Sequence, residues 1–346
     1  MEEQTMEEQI AFVTGGTGFI GGRLVSRLRS EGWAVRALVR SESSRRVVEE
    51  LGAIPVSGGI EDFAAMREGA EGCRVAFHLA AKIGDYEPEE DFWAVNVVGT
   101  ANAIRACRDA GVSRFVNVSS YRATMGRQPV KGADEQAPLR VDSPQPYDAS
   151  KAIAEVLVRA AGHPGFETIS IRPSWTWGLG DKHLLPEIVE VVRGDRFAWL
   201  DGGRHPTATS HVDNVVEALI LAVDHGVPGN SYFVSDAERL TVREFVSAQL
   251  EAEGVRIPRV SVPVAAVAPA ARLVEWLWRR ARRGKRPPLT LAGCLMIGVE
   301  ATVDDSLARA ELGYRPVISF EDGIREMREA RLGSEDRGLE PTPSPV

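Results

Sequence analysis

Tyr147 and Lys151 stand four residues apart in PYDASKAIAE, where a helical pattern begins, so a phenol and an ammonium share one helical face a turn apart. A phenol of pKa about 10 exchanges protons poorly near neutrality. Bringing it down to about 7 takes roughly 4 kcal/mol of differential stabilisation, which a fixed cation in a dry site can supply. Upstream, Ser119 and Ser120 follow Arg114 to Val118, an apolar run that reads as a strand. A hydroxyl leaving the carboxyl end of that strand meets the phenol at the edge where open α/β sheets bind ligands. Groups of these three types can hold a carbonyl or carbinol oxygen and exchange a proton with it.

A second cluster suits an anion. In IAFVTGGTGFIG an apolar strand, Ile10 to Thr14, runs into Gly15, Gly18 and Gly21, spaced by three. A tight turn, a close backbone approach to a pyrophosphate and close helix-on-strand packing each exclude a side chain, and the free amides of the following helix then receive the anion. No His/Cys spacing suits a metal, and none is expected.

The elements that must carry these groups alternate. Short apolar runs at Ile10 to Thr14, Ala34 to Val39, Ile54 to Ser57, Val75 to Leu79, Arg114 to Val118 and Thr168 to Ile171 are separated by amphipathic stretches, the pattern of β-α-β units. The expected fold is α/β, a doubly wound parallel sheet with a smaller C-terminal α/β lobe for substrate. Residues 10–173 plus about 207–235 form the first unit. In the latter stretch SHVDNVVEALILAVDH reads as a helix and NSYFVSD as a returning strand. Residues 174–206 plus 236–333 form the second, where Thr241 and Glu244 have the form of a capping box. The ends, 1–9 and 334–346, are polar, charged or Pro-rich and are expected to be disordered.

Composition bounds the rest. The 346 residues are 44% hydrophobic and 26% charged, enough apolar material for a large core, and a net charge of −8 argues against a nucleic-acid binder living on phosphate contacts. Cys73, Cys107 and Cys294 are odd in number and far apart, and read as buried residues of a reducing compartment. The acidic start lacks the pattern of a signal peptide, so a cytoplasmic location is expected.

TGGTGFIG, His78-Leu79-Ala80-Ala81 and Asn96-Val97-Val98-Gly99-Thr100 resemble, in order, the glycine motif, strand-four loop and helix-stabilising Asn motif of extended short-chain dehydrogenase/reductases, the NAD-dependent epimerase/dehydratase superfamily. The resemblance reaches roughly Ala330. Pro287-Pro288-Leu289-Thr290 and Glu311-Leu312-Gly313-Tyr314-Arg315-Pro316 are similar to the 3β-hydroxysteroid dehydrogenase branch. It implies a Rossmann domain, a homodimer formed through two of its helices, and a Ser, Tyr, Lys triad. Ser120 is then favoured over Ser119 to orient the substrate oxygen, Tyr147 is the general acid/base, and Lys151 holds the nicotinamide ribose while tuning Tyr147. The cofactor contacts it implies are Gly15, Thr17, Gly18, Phe19, Ile20, Gly21, Arg40, Ile60, Leu79, Ala80, Ala81, Asn96, Tyr147, Lys151 and Pro173.

An NAD site usually ends its second strand in an acid, whereas Val39, Arg40 and Ser41 stand here. Either Arg40 is a solvated strand-end residue or its guanidinium receives a 2′-phosphate, and NADP(H) is preferred with NAD(H) still admissible. Around the substrate, Lys82, Trp175, Trp177 and His183 are pocket candidates, the tryptophans serving equally well to pack the lobe. The stretch 263–286 passes from VAAVAPAARLVEWLW to RRARRGKR, six Lys/Arg in eight residues. It is either a helix whose basic end suits its dipole or one whose apolar face meets lipid, giving a peripheral membrane contact. The activity so implied is alcohol/ketone oxidoreduction on a hydrophobic 3-oxo acid or sterol-like substrate. A nucleotide-sugar 4-epimerase and a non-catalytic NADP-binding redox sensor are the alternatives. Sugar dehydration is disfavoured, because Tyr121 and Arg122 follow Ser120 where the dehydratases carry an acidic pair.

Overall fold

The computed structural model describes residues 9–126, 129–182, 184–281, 287 and 290–335. Seven parallel strands form the main sheet: β1 (Ile10–Thr14), β2 (Ala34–Val39), β3 (Ile54–Ser57), β4 (Val75–His78), β5 (Arg114–Val118), β6 (Glu167–Pro173) and β7 (Ser231–Val234). Their spatial order is β7-β6-β5-β4-β1-β2-β3. The inner strands β1, β4 and β5 are buried along almost their whole length, which is why they read as continuous apolar runs. The chain reverses direction between β1 and β4, and the crevice beyond their carboxyl ends is the topological switch point. The sequence places every one of these strands within three residues at each end. The returning strand in NSYFVSD is β7, in register with β6 from Ser231 opposite Ser170 to Val234 opposite Pro173.

The helices that matter below are α1 (Phe19–Ser30), α2 (Glu42–Glu50), α3 (Phe63–Ala70), α4 (Thr100–Asp109), α5 (Pro146–Ala161), α6 (Val212–Asp224), α7 (Val242–Ala252), α8 (Val264–Ala281), α9 (Leu291–Gly298) and α10 (Phe320–Glu335). Apolar residues of α1 and α6 fill one face of the sheet, those of α3, α4 and α5 the other. Proline at the first turn of α5 suits a helix start, since its missing N–H has no intrahelical partner there anyway. Thr241 and Glu244 cap α7 reciprocally, as their spacing predicts.

The smaller lobe has its own core, where Trp175, Trp177, Trp199 and Phe245 meet Ile324 and Met327 of α10. Two connections depart from the expected boundaries. Val130–Ala133, four residues inside the first unit's sequence, pairs with Ala301–Val303 of the other lobe. Ala308, Leu312 and Tyr314 pack into the main core instead, where the Tyr314 hydroxyl donates to the Ser235 carbonyl. The three cysteines are free and buried.

Candidate active site

The phosphate cradle forms where β1 meets α1. Gly15 has φ +75°, and a Cβ there would lie 2.7 Å from the Ala80 nitrogen; one on Gly21 would lie 2.0 Å from the Gly15 carbonyl oxygen. Side chains are therefore excluded by backbone at both positions. Gly18 donates to the Gly15 carbonyl at 3.0 Å and caps α1 without a side chain. The first-turn amides of Phe19, Ile20 and Gly21 thus have neither a capping group nor an intrahelical partner, which fits an anion such as a pyrophosphate. Thr17 sits in this turn, and the strand-four loop closes over it: Leu79 and Ala80 donate to the carbonyl and hydroxyl of Thr14 at 3.1 and 3.3 Å.

His78 lies under this floor and was missed as a site residue. It bridges the Thr14 hydroxyl at 2.8 Å and the Thr100 hydroxyl at 3.0 Å, and burial, with the charge of Lys151, pushes it down to about 3, so it is neutral. Asn96 is buried and committed to the protein: it accepts from the Lys82 N–H at 2.7 Å and donates to the Lys82 carbonyl and the Ser150 hydroxyl. It fixes the loop after Ala81 against α5. Ile60 packs on the Gly99 backbone. Arg40 is exposed, and the next residue, Ser41, caps α2 by accepting from the Ser44 N–H at 3.2 Å.

The catalytic candidates converge beyond the end of β5. Ser120 is the N-cap of the short 3-10 turn Tyr121–Thr124; its hydroxyl accepts from the Arg122 N–H at 3.2 Å and faces the Tyr147 phenol, whose acidity it favours. Ser119 points the other way and donates to the Glu155 carboxylate at 2.6 Å. Side chains alternate across an extended segment, so the two serines serve different sides of the strand end. Glu155 is fully buried with Arg172, whose Nε and Nη2 reach it at 2.6–3.1 Å, and Ser231 donates to it at 2.7 Å. Burial would raise the Glu155 carboxyl, but these bonds and the Arg172 charge win and hold it low.

Lys151 is buried, with Nζ donating to the Val118 carbonyl at 2.7 Å. Burial pushes it down to about 8 against the upward pull of Glu155. Tyr147 lies above its ordinary value because burial dominates, and what opposes burial is the Arg122 charge and the Ser120 hydroxyl. The Arg122 guanidinium carbon is 5.0 Å from the centre of the Tyr147 ring, and its Nε is 2.7 Å from Asp148. A narrow crevice of about 10 Å³ opens beside Arg122, lined also by Tyr121, Met125, Gly126, Gln145, Asp148, Leu295 and Met296. The last two come from α9, whose uniformly apolar sequence carries no chemical signal.

Pro173 is buried at the end of β6. Lys82 is half-buried, 4.0 Å from the Asp91 carboxylate. Trp177 takes the lobe-packing alternative: it is fully buried, meets His211, Phe245 and Phe320 ring to ring, and donates its indole N–H to Asp236 at 2.7 Å. Trp175, 5% exposed, stacks edge-on to Phe245 in the same core. His183 lies outside the described residues. His211, Asp213 and Glu326 come within 4.8 Å of one another, yet Arg23 already pairs with both carboxylates, at 3.7 and 3.0 Å.

Residues 12–264 match the model of the 3-beta hydroxysteroid dehydrogenase/isomerase family. The chain belongs to that family. It is 39% identical over 319 residues, covering 92% of this chain and 96% of the relative, to the 4-hydroxy-2-methyl-3-oxo-4-farnesyl-3,4-dihydroquinoline-1-oxide ketoreductase of Stigmatella aurantiaca. It is 34% identical to the 2-alkyl-3-oxoalkanoate reductase of Stenotrophomonas maltophilia, covering 91% of this chain and 97% of that one. Among solved structures it is similar to gox2253, with TM-score 0.78 and 26% identity over 96% of this chain and all of that one. The family member is an oxidoreductase acting on CH–OH groups.

Proposed function

We propose that the protein is an NADP(H)-dependent ketoreductase that interconverts a ketone and a secondary alcohol on a hydrophobic 3-oxo substrate, using Ser120, Tyr147 and Lys151. The observation that carries this reading is the meeting of the Ser120 hydroxyl and the Tyr147 phenol, one helical turn from a buried Lys151, at the sheet edge that also holds the glycine cradle. The bound nicotinamide supplies or accepts the hydride. Ser120 holds the substrate oxygen, Tyr147 gives that oxygen a proton as it becomes a hydroxyl, and Lys151 holds the ribose. The hydrophobic substrates named for the two relatives favour a greasy ketone over a sugar nucleotide.

The absence of an acid at the end of β2 and the exposed Arg40 beside the N-terminus of α2 support a 2′-phosphate there. Exposed Trp93, Val98 and Val156, on the helical segments before α4 and in α5, support a homodimer. No helix among the described residues is long and apolar enough to cross a membrane. Even so, Leu273, Trp276 and Leu277 of α8 are 57%, 50% and 49% exposed at helical spacing, and Arg280 stacks on Trp276 at 4.1 Å. With the basic run that follows, this face supports peripheral contact with anionic lipid from the cytoplasmic side. Part of that run, 282–286, lies outside the described residues.

The deciding experiment is turnover with NADPH and with NADH of hydrophobic 3-oxo acids and their esters, cyclic ketones and UDP-glucose. Faster consumption of NADPH with the ketones is the expected result. Sugar epimerisation without net cofactor use, or cofactor binding with no turnover of any compound, would select an alternative.

A further inference from the structure

A cation from outside its own helix lies over the Tyr147 ring. Arg122, two residues past Ser120, lies over the Tyr147 ring at 5.0 Å, and its Nε is fixed at 2.7 Å by Asp148, the residue after the tyrosine. Both members of the pair are shielded, their side chains 17% and 4% exposed. A guanidinium is planar and permanently charged, so it can lie on an aromatic face and keep its charge in a site that lowers a lysine to about 8.

We propose that Arg122, clamped by Asp148, is a positioning residue that stabilises the phenolate form of Tyr147 and so sets how readily the phenol releases its proton. This rests on reading Tyr147 as the proton-transfer group. When the Tyr147 O–H bond breaks and an O–H bond forms on the substrate oxygen, the negative charge left behind spreads into the ring that the guanidinium covers. Solvent returns the proton.

Other groups near Tyr147 act beside this cation. The Ser120 hydroxyl favours the phenolate, Asp148 opposes it with its own charge, and Tyr121 is held up at about 12 and stays neutral. Lys151 is turned to the Val118 carbonyl. From the turn Glu89–Phe92 the neighbour is the apolar edge of Phe92, ring centres 6.3 Å apart. Arg122 outweighs Asp148 at the ring, and removing an opposing charge this close moves a titration by about one to three units.

The test is NMR titration of the full-length protein carrying ¹³C at the oxygen-bearing ring carbon of tyrosine, with Tyr147→Phe assigning the resonance. Arg122→Met is expected to move the Tyr147 midpoint up by about one unit or more. Asp148→Asn, which leaves the guanidinium unopposed, moves it down, and Arg122→Lys, whose ammonium neither stacks on the ring nor keeps its charge where the phenol titrates, moves it up as Arg122→Met does. A purely structural pair would shift both of the first two variants the same way, or neither, and that result overturns the proposal. If Arg122→Met does not fold, the Asp148→Asn and Arg122→Lys midpoints decide alone. No step needs turnover, so inactivity toward every ketone with these shifts intact would refute the assigned reaction and leave the role of Arg122 standing.

Discussion

The Arg172–Glu155 pair joins β6 to the helix that carries Tyr147 and Lys151, and both side chains are fully buried. Glu155→Gln keeps the shape but strands the guanidinium. Breaking a buried pair by removing one partner costs about 3–5 kcal/mol. Glu155 also accepts from Ser119 and Ser231 at 2.6 and 2.7 Å, and an amide offers one accepting oxygen in place of two. The loss is a large part of a stability of about 5–15 kcal/mol, and equilibrium urea unfolding followed by tryptophan fluorescence would show it as a lower midpoint at unchanged slope. The double variant Glu155→Leu with Arg172→Met removes both charges, leaving the two serine hydroxyls to lose about 1 kcal/mol each, so it is expected to be more stable than Glu155→Gln. Because the Glu155 charge holds Lys151 up, the single variant should also lose lysine protonation below pH 8. A single variant within about 1 kcal/mol of wild type, or a double variant less stable than the single one, would refute the reasoning.

Three further outcomes follow from the same physics. His78 titrates at about 3 when folded against 6.5 unfolded; between those values the unfolded chain binds a proton that the folded chain refuses. Stability should therefore fall with decreasing pH by up to about 1.4 kcal/mol per unit, and His78→Gln should flatten that slope in urea titrations at pH 4 to 7. Arg40→Asp should weaken NADPH binding about tenfold to hundredfold, the worth of one or two charge-assisted hydrogen bonds, while NADH improves or holds in fluorescence titration; an unchanged NADPH constant removes Arg40 from the site. Replacing Leu273, Trp276 and Leu277 by Ser should abolish co-sedimentation with phosphatidylglycerol vesicles without changing turnover of a water-soluble ketone, whereas wild-type protein that fails to sediment would remove the lipid contact.

The sheet was legible because buried parallel strands leave short apolar runs that alternate with amphipathic stretches, and because Gly15 and Gly21 sit where backbone forbids a side chain. Ser119 and Ser120 were harder to separate from the residues alone. Their difference lies in which face of the strand end each hydroxyl leaves, and that depends on Glu155 waiting on one side and Tyr147 on the other. Arg122 was hidden for a similar reason: it reaches the Tyr147 ring from the turn after β5, a different element from the helix that carries the tyrosine. Trp175 and Trp177 alternate as strand residues do, and only the arrival of Phe245 from α7 and of Phe320 at the start of α10 commits them to the core. Val130–Ala133 is a strand because of what pairs with it, and its four residues carry no period of their own.

The most direct test of the account is Tyr147→Phe, assayed for NADPH affinity and for ketone reduction in the same preparation. Loss of one oxygen from a ring that already packs against Phe92 should leave the cofactor constant within about twofold while turnover drops by about 10²–10⁴-fold. Near-normal turnover in that variant, with the cofactor still bound, would contradict the assignment of the phenol as the proton-transfer group.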